Sequence, residues 1–188
     1  MLYTRKGDTG TTKIFSCDQR ISKSSAIAEA LGSLDEVNSF LGLCKVKTIE
    51  IGDISPKLKI KDEKISDILH GIQQTLFIIQ AELAGADKKV SEEKVVFLEQ
   101  ITDEIEKMLP PIKTFFISGG TELGALFDTA RTIARRAERR VVAVNEEKLR
   151  EIGTETLRYL NRLSSVLYAL ARLSNHLSGI NEESPTYL

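Results

Sequence analysis

The densest chemistry in this chain lies in its first dozen residues. Tyr3-Thr4-Arg5-Lys6-Gly7-Asp8-Thr9-Gly10-Thr11-Thr12 gathers two glycines, four threonines, an acid and two cations. Glycines let a backbone turn tightly and bring its N–H groups close to an anion. The hydroxyls and cations add donors and positive charge, and Asp8 suits a hydrated cation or the orienting of a neighbour. Such a segment suits a polyphosphate. The common phosphate loop, G-x-x-x-x-G-K-[ST], is absent. Composition alone favours the plainer reading, a polar N-terminal arm with a turn, so the weight falls on patterns further along.

Three downstream segments carry a polar stripe beside an apolar one. In Gly32-Ser33-Leu34-Asp35-Glu36-Val37-Asn38-Ser39-Phe40-Leu41-Gly42, helical spacing puts Asp35, Asn38 and Gly42 on one line next to the core face. A glycine inside a helix costs about 1 kcal/mol relative to alanine, so two of them point to close approach of a backbone or a ligand. In Ala130 to Arg140, Arg131, Arg135 and Glu138 project together, with Asp128 and Arg139 flanking and Arg136 and Arg140 turned toward solvent. A guanidinium grips phosphate in a fork; the plainer reading is weak surface ion pairs. In Tyr159 to Arg172, Asn161, Ser165, Tyr168 and Arg172 form a comparable line. Asn161 could read a base edge or a ribose, or cap a buried backbone group. Phe115 and Phe116, ahead of Gly119-Gly120, read most simply as core residues. The alternative is that one of them walls a flat ligand.

The elements that must position these residues are helices. Apolar residues recur at three-to-four spacing along Ser25 to Lys47 (Ala30, Leu34, Val37, Leu41) and Glu63 to Ala86 (Ile65, Ile68, Leu69, Ile72, Leu76, Ile79, Leu83). A shorter stretch carries Val95, Leu98, Ile101, Ile105 and Leu109 and stops at Pro110-Pro111. Leu123, Leu126, Ala130, Ala134, Ala137 and Val141 line a fourth helix, entered through Thr121 as its N-cap. Leu157, Leu160, Leu163, Leu167, Leu170 and Leu177 line the last. No segment alternates well enough for a sheet; Ile112 to Ile117 reads as an extended linker packed on the bundle. Thr48 to Lys61 reads as a surface connection, and Asn181 to Leu188 as a tail that frays unless something docks it. The expectation is an all-α bundle of five helices in a single domain over 1–188. It has an N-terminal segment (1–22), a bundle (23–180) and a tail (181–188).

Composition narrows the function classes. At 188 residues with 41% apolar and 28% charged content, one soluble core is expected. A net charge of −1 gives no field favouring nucleic acid or an anionic membrane, and no apolar run reaches bilayer length. No signal peptide is visible. Cys17 and Cys44 lack metal-ligand spacing, so a reducing cytoplasm is the default. His70 and His176 lie on separate segments, which makes a His-based metal site improbable.

Together these segments resemble the PduO-type ATP:cob(I)alamin adenosyltransferases. The resemblance covers nearly the whole chain. It rests on Thr4 to Thr12, Gly32 to Asn38, Gly119-Gly120, Ala130-Arg131 through Arg139, and Tyr159 to Ser164, in that order. It implies a homotrimer of five-helix bundles with sites between subunits. The activity implied is transfer of the 5′-deoxyadenosyl group of ATP to the cobalt of cob(I)alamin, with adenosylcobalamin and triphosphate as products. By resemblance Thr4, Arg5, Gly7, Asp8, Gly10, Thr11 and Lys23 cradle the triphosphate, and Arg135, Glu138 and Asn161 hold ATP from the helices. Asp35 and Arg131 match a cross-subunit salt bridge at the corrin site, and Phe115 matches the aromatic under the lower face of cobalt. Magnesium accompanies ATP, and Glu138 could share it. An electron-donating reductase and an adenosylcobalamin-dependent enzyme are implied as partners. Departures stand at Ser24, Ser25, Ile27, Ser118, Ser165 and Tyr168, where the family commonly has other residues. The runner-up function is a bundle that binds ATP and cobalamin for regulation or cofactor delivery with little turnover. A purely structural bundle would leave the N-terminal segment without a purpose.

Overall fold

Residues 3–14, 20–52 and 63–187 are described by a computed structural model. A small hairpin comes first: β1 (Thr11–Lys13) pairs antiparallel with β2 (Arg20–Ser22), Thr12 opposite Ile21. Five helices follow: α1 (Ala26–Glu50), α2 (Ile65–Leu83), α3 (Glu92–Met108), α4 (Glu122–Glu146) and α5 (Thr154–Leu177). Each strand has only three residues, too few to show the period of two that marks a strand in sequence. The expectation of no sheet is corrected to that extent.

Helix ends follow local chemistry. Ser25 caps α1 by accepting from the Ala28 N–H, and Thr121 caps α4 by accepting from the Gly124 N–H at 3.0 Å. Ser25, one of the departures from the family pattern, therefore has a structural task. α3 ends at Met108 because Leu109 precedes a proline and is pushed into extended backbone (φ −105°, ψ 150°). α1 runs to Glu50 before turning at Ile51-Gly52; most of the connection expected over Thr48 to Lys61 lies outside the described residues, as does Cys17.

α4 packs on α1 and α5, α1 also on α2, and α5 also on α3. The core is built from the apolar faces the periodicity marks: Leu34, Leu41, Leu69, Leu76, Leu98, Phe127, Leu163 and Leu167 are wholly buried. Leu177, at the far end of α5, is the exception at 44% exposed. Polar bridges tie the faces together. Gln73 donates to the Asn38 carbonyl at 3.0 Å and accepts from Lys45 at 2.9 Å. Buried Glu82 accepts from Gly153 N–H at 2.8 Å and Thr156 Oγ1 at 2.5 Å, fixing the start of α5 on α2. Arg136 and Arg140 do not simply face solvent: they pair with Glu36 and Glu29 of α1 while staying about half exposed. No helix among the described residues is long and apolar enough to cross a membrane.

Candidate functional site

A cavity of about 840 Å³ opens where α4 and α5 meet the 112–120 loop and residues 180–183. α4 contributes Asp128, Arg131 and Arg135, and α5 contributes Ser164, Ser165, Tyr168 and Arg172. Asp128 and Arg131 form an ion pair at 2.7 Å one helical turn apart. Burial alone would push the Asp128 carboxyl up. Hydrogen bonds from Arg131 and Ser118, with the charge of Arg131, outweigh it and hold the carboxyl below its ordinary value. Ser118, another departure, thus anchors the loop to α4. The Arg131 guanidinium lies 5.9 Å from the centre of the Tyr168 ring, within cation–π range. Burial raises the Tyr168 phenol, which stays neutral near pH 7.

The loop is tethered to α5 but leaves most of its side chains exposed. Phe115 is 78% exposed, and Ile112 and Ile117 are both more than half exposed. The expectation of a packed linker and two core phenylalanines is therefore corrected. Phe116 is half-buried, with the Arg172 guanidinium 5.1 Å from its centre. What sets the loop is Asn175 of α5, which sequence reading passed over. Its Oδ1 accepts from the Thr121 N–H at 2.9 Å and its Nδ2 donates to the Gly119 carbonyl at 2.9 Å. Gly120 sits at φ +97°, and a Cβ there would fall 2.7 Å from Asn175 Oδ1, so only glycine fits. An asparagine near a helix end gives no sequence signal for such a clamp.

Beside the cavity is a smaller recess of about 400 Å³ lined by Arg135, Glu138, Arg139, Glu146 and Asn161, among others. Asn161 donates to Glu138 at 3.1 Å. Arg135 lines both spaces and joins them. Of the residues singled out in sequence, Phe115, Asp128, Arg131, Arg135, Ser165, Tyr168 and Arg172 are thus brought to one cavity, and Glu138 and Asn161 to its neighbour.

The N-terminal residues form a separate constellation. Gly10 N–H bonds the Gly7 carbonyl at 3.1 Å, and the Lys23 N–H bonds the Gly10 carbonyl at 2.9 Å. Lys23 Nζ lies over Gly7, only 3.1 Å from where a Cβ would be. Arg5 has φ 59° and stacks on Tyr3 at 5.4 Å, and Thr4 Oγ1 accepts from the Lys6 N–H. Asp8 and Arg5 are exposed. The loop is closed by Arg20 of β2, also missed in sequence: it donates to Thr11 Oγ1 at 2.8 Å, the Thr11 carbonyl at 2.8 Å and the Lys6 carbonyl at 2.5 Å. None of these residues lines the cavity or the recess. Asp35 lies exposed on α1, also outside the cavity, and the chain itself does not bring it to Arg131. A Cβ at Gly42 would meet Gln73 at an ordinary contact of 3.5 Å and Gly32 faces open space, so close approach within the chain requires neither glycine.

Comparison with known proteins fits this arrangement. The cobalamin adenosyltransferase family model matches residues 2–174. A corrinoid adenosyltransferase of Bacillus subtilis is 40% identical over 185 residues, 96% of this chain and 90% of its own length. The corrinoid adenosyltransferase PduO of Citrobacter freundii is 38% identical over 183 residues, but the chain spans only 50% of that relative's length. Among solved structures, a variant PduO-type ATP:corrinoid adenosyltransferase from Lactobacillus reuteri, complexed with cobalamin and ATP, superposes with a TM-score of 0.85 at 30% identity. That match covers 100% of this chain and 97% of the other.

Proposed function

The chain belongs to the cobalamin adenosyltransferase family, and on that premise we propose that it moves the 5′-deoxyadenosyl group of ATP onto the cobalt of cob(I)alamin. The observation that carries this reading is the cavity itself: cations of α4 at one boundary and an exposed aromatic, Phe115, on its loop. An anion and a large flat partner can meet there.

The cobalt of cob(I)alamin, as substrate, brings the reacting electron pair. A cobalt–carbon bond forms at C5′ as the C5′–oxygen bond breaks, and that bond's electron pair leaves with triphosphate. No proton moves in the step. The protein's tasks are alignment and stabilisation of the leaving charge. Arg135 contributes from the junction of cavity and recess, and Glu138 and Asn161 hold ATP with it from the helices. Thr4, Arg5, Gly7, Asp8, Gly10, Thr11 and Lys23 cradle the phosphates. Phe115 fills the space below cobalt where a water or base would otherwise ligate, which favours reduction of Co(II) to Co(I). Asp35 and Arg131 close the corrin site between copies. That the N-terminal loop and Asp35 stand outside the cavity of their own chain supports a site completed by a neighbouring copy, in a homotrimer.

Magnesium fits as a companion of the triphosphate. Among the described residues no group of three His, Cys, Asp or Glu could hold a metal alone. Glu138 offers the single carboxylate that magnesium takes beside phosphate oxygens and water. A reductase must deliver the electron, and an adenosylcobalamin-dependent enzyme must use the product. The compartment we infer is the cytoplasm, because two cysteines far apart in sequence form no disulfide framework of the kind oxidising compartments favour.

The test is an anaerobic assay with ATP, magnesium and chemically reduced cob(I)alamin. Conversion of the visible spectrum to that of adenosylcobalamin, with equimolar triphosphate, is the expected result. ATP binding by calorimetry without any spectral change would instead assign a binding or delivery role.

A further inference from the structure

One buried guanidinium holds two walls of the cavity at once. Arg172 of α5 is 5% exposed. It forms a fork on Glu182, with Nε 2.7 Å from Oε1 and Nη2 2.7 Å from Oε2. The same Nη2 donates to the Pro110 carbonyl at 3.1 Å, and the guanidinium stacks on the Phe116 ring. Two chain segments far apart in sequence therefore meet on one side chain. They are also joined directly: the Ile117 N–H donates to the Glu183 carbonyl at 2.8 Å. The tail expected to fray is docked here, at Glu182 and Glu183.

The charge of Arg172 is already matched by Glu182, in a fork geometry that satisfies both partners. It is not held in reserve for a phosphate. Its attachments are the stretch that carries Phe115 and the tail residues that line the cavity. None of them belongs to the recess of Glu138 and Asn161. A side chain placed so acts on whatever fills the cavity, not on what fills the recess.

We infer that Arg172 is a positioning residue for the corrinoid, latching the 110–117 loop and the 180–183 tail into one rigid wall before substrate arrives. This rests on the function proposed above for where corrinoid and ATP bind; the latch itself can be read without turnover. The experiment uses the full chain and the variants Glu182→Gln and Arg172→Lys, which keep most of the volume and lose the charged fork. Hydrogen exchange on the unliganded protein is measured first. Faster exchange at the Ile117 amide and over 180–183, with α1 to α5 unchanged, is expected. Cob(II)alamin binding, titrated by its visible spectrum, and the KM for each substrate follow. The corrinoid affinity should weaken by about tenfold or more while the KM for ATP moves by less than about twofold. Unchanged exchange at Ile117, or equal shifts for both substrates, would overturn the inference. If the wild-type chain makes no adenosylcobalamin, exchange and cob(II)alamin binding still decide the latch, and only the proposed reaction falls.

Discussion

Arg135 stands where cavity and recess join, so its loss should be felt at the leaving phosphates rather than in folding. It is exposed, and truncation leaves no buried hole. Arg135→Ala is expected to lower kcat/KM for ATP by roughly 100-fold or more, the scale of losing one donor aimed at developing charge, with an unchanged circular dichroism melt. Near-normal kinetics would remove it from the site. Phe115 is a different case: at 78% exposure its side chain contributes little to the core. Phe115→Ala should bind ATP normally yet lose most turnover when cob(II)alamin and a reductant replace cob(I)alamin. Retained turnover would end its axial role. Asp128 carries a pH signature. Its folded value is depressed, so its stabilising contribution is present above the ordinary value of 3.8 and is lost as pH falls through the lower folded value. Urea midpoints measured from pH 5 down to pH 2 should fall less steeply in Asp128→Asn than in the wild type.

The 112–120 loop shows how an element can be set from outside itself. Its turn is fixed by Asn175, and its far end by Arg172 and the tail. Gly120→Ala should therefore destabilise the fold by about 1–3 kcal/mol, since it meets both an unfavourable φ and a clash. Thr121→Ala should cost about 1 kcal/mol through the lost cap. Thermal or urea unfolding of each measures these, and a neutral Gly120→Ala would mean that the turn is not held as described. The N-terminal hairpin follows the same logic. Arg20 donates three bonds into the loop from β2, yet nothing in its sequence neighbourhood distinguishes it from a solvated surface cation. Strands of three residues are invisible to periodicity, whereas helices of 17 to 25 residues repeat their pattern several times over.

At the level of the whole molecule, the described chain holds two sets of candidate residues that do not meet: the N-terminal loop with Asp35, and the α4–α5 group. A homotrimer that joins them across subunits should sediment as three chains. Asp35→Ala should leave ATP affinity intact while slowing adenosyl transfer, and a monomeric, fully active protein would refute the shared site. The sequence by itself determined the helices, their buried faces, the cap at Thr121 and the stop at Pro110. Each of these depends on residues within a turn or two of one another. It also marked Arg131, Arg135, Glu138 and Asn161, because helical spacing alone puts polar side chains on a line. Only the tertiary structure decided which lines face each other. It turned Arg136 and Arg140 onto acids of α1, exposed Phe115, and gathered Asn175, Arg172 and Glu182 around a loop more than fifty residues away from them in sequence. Contacts of that kind depend on how helices pack, and no local spacing encodes them.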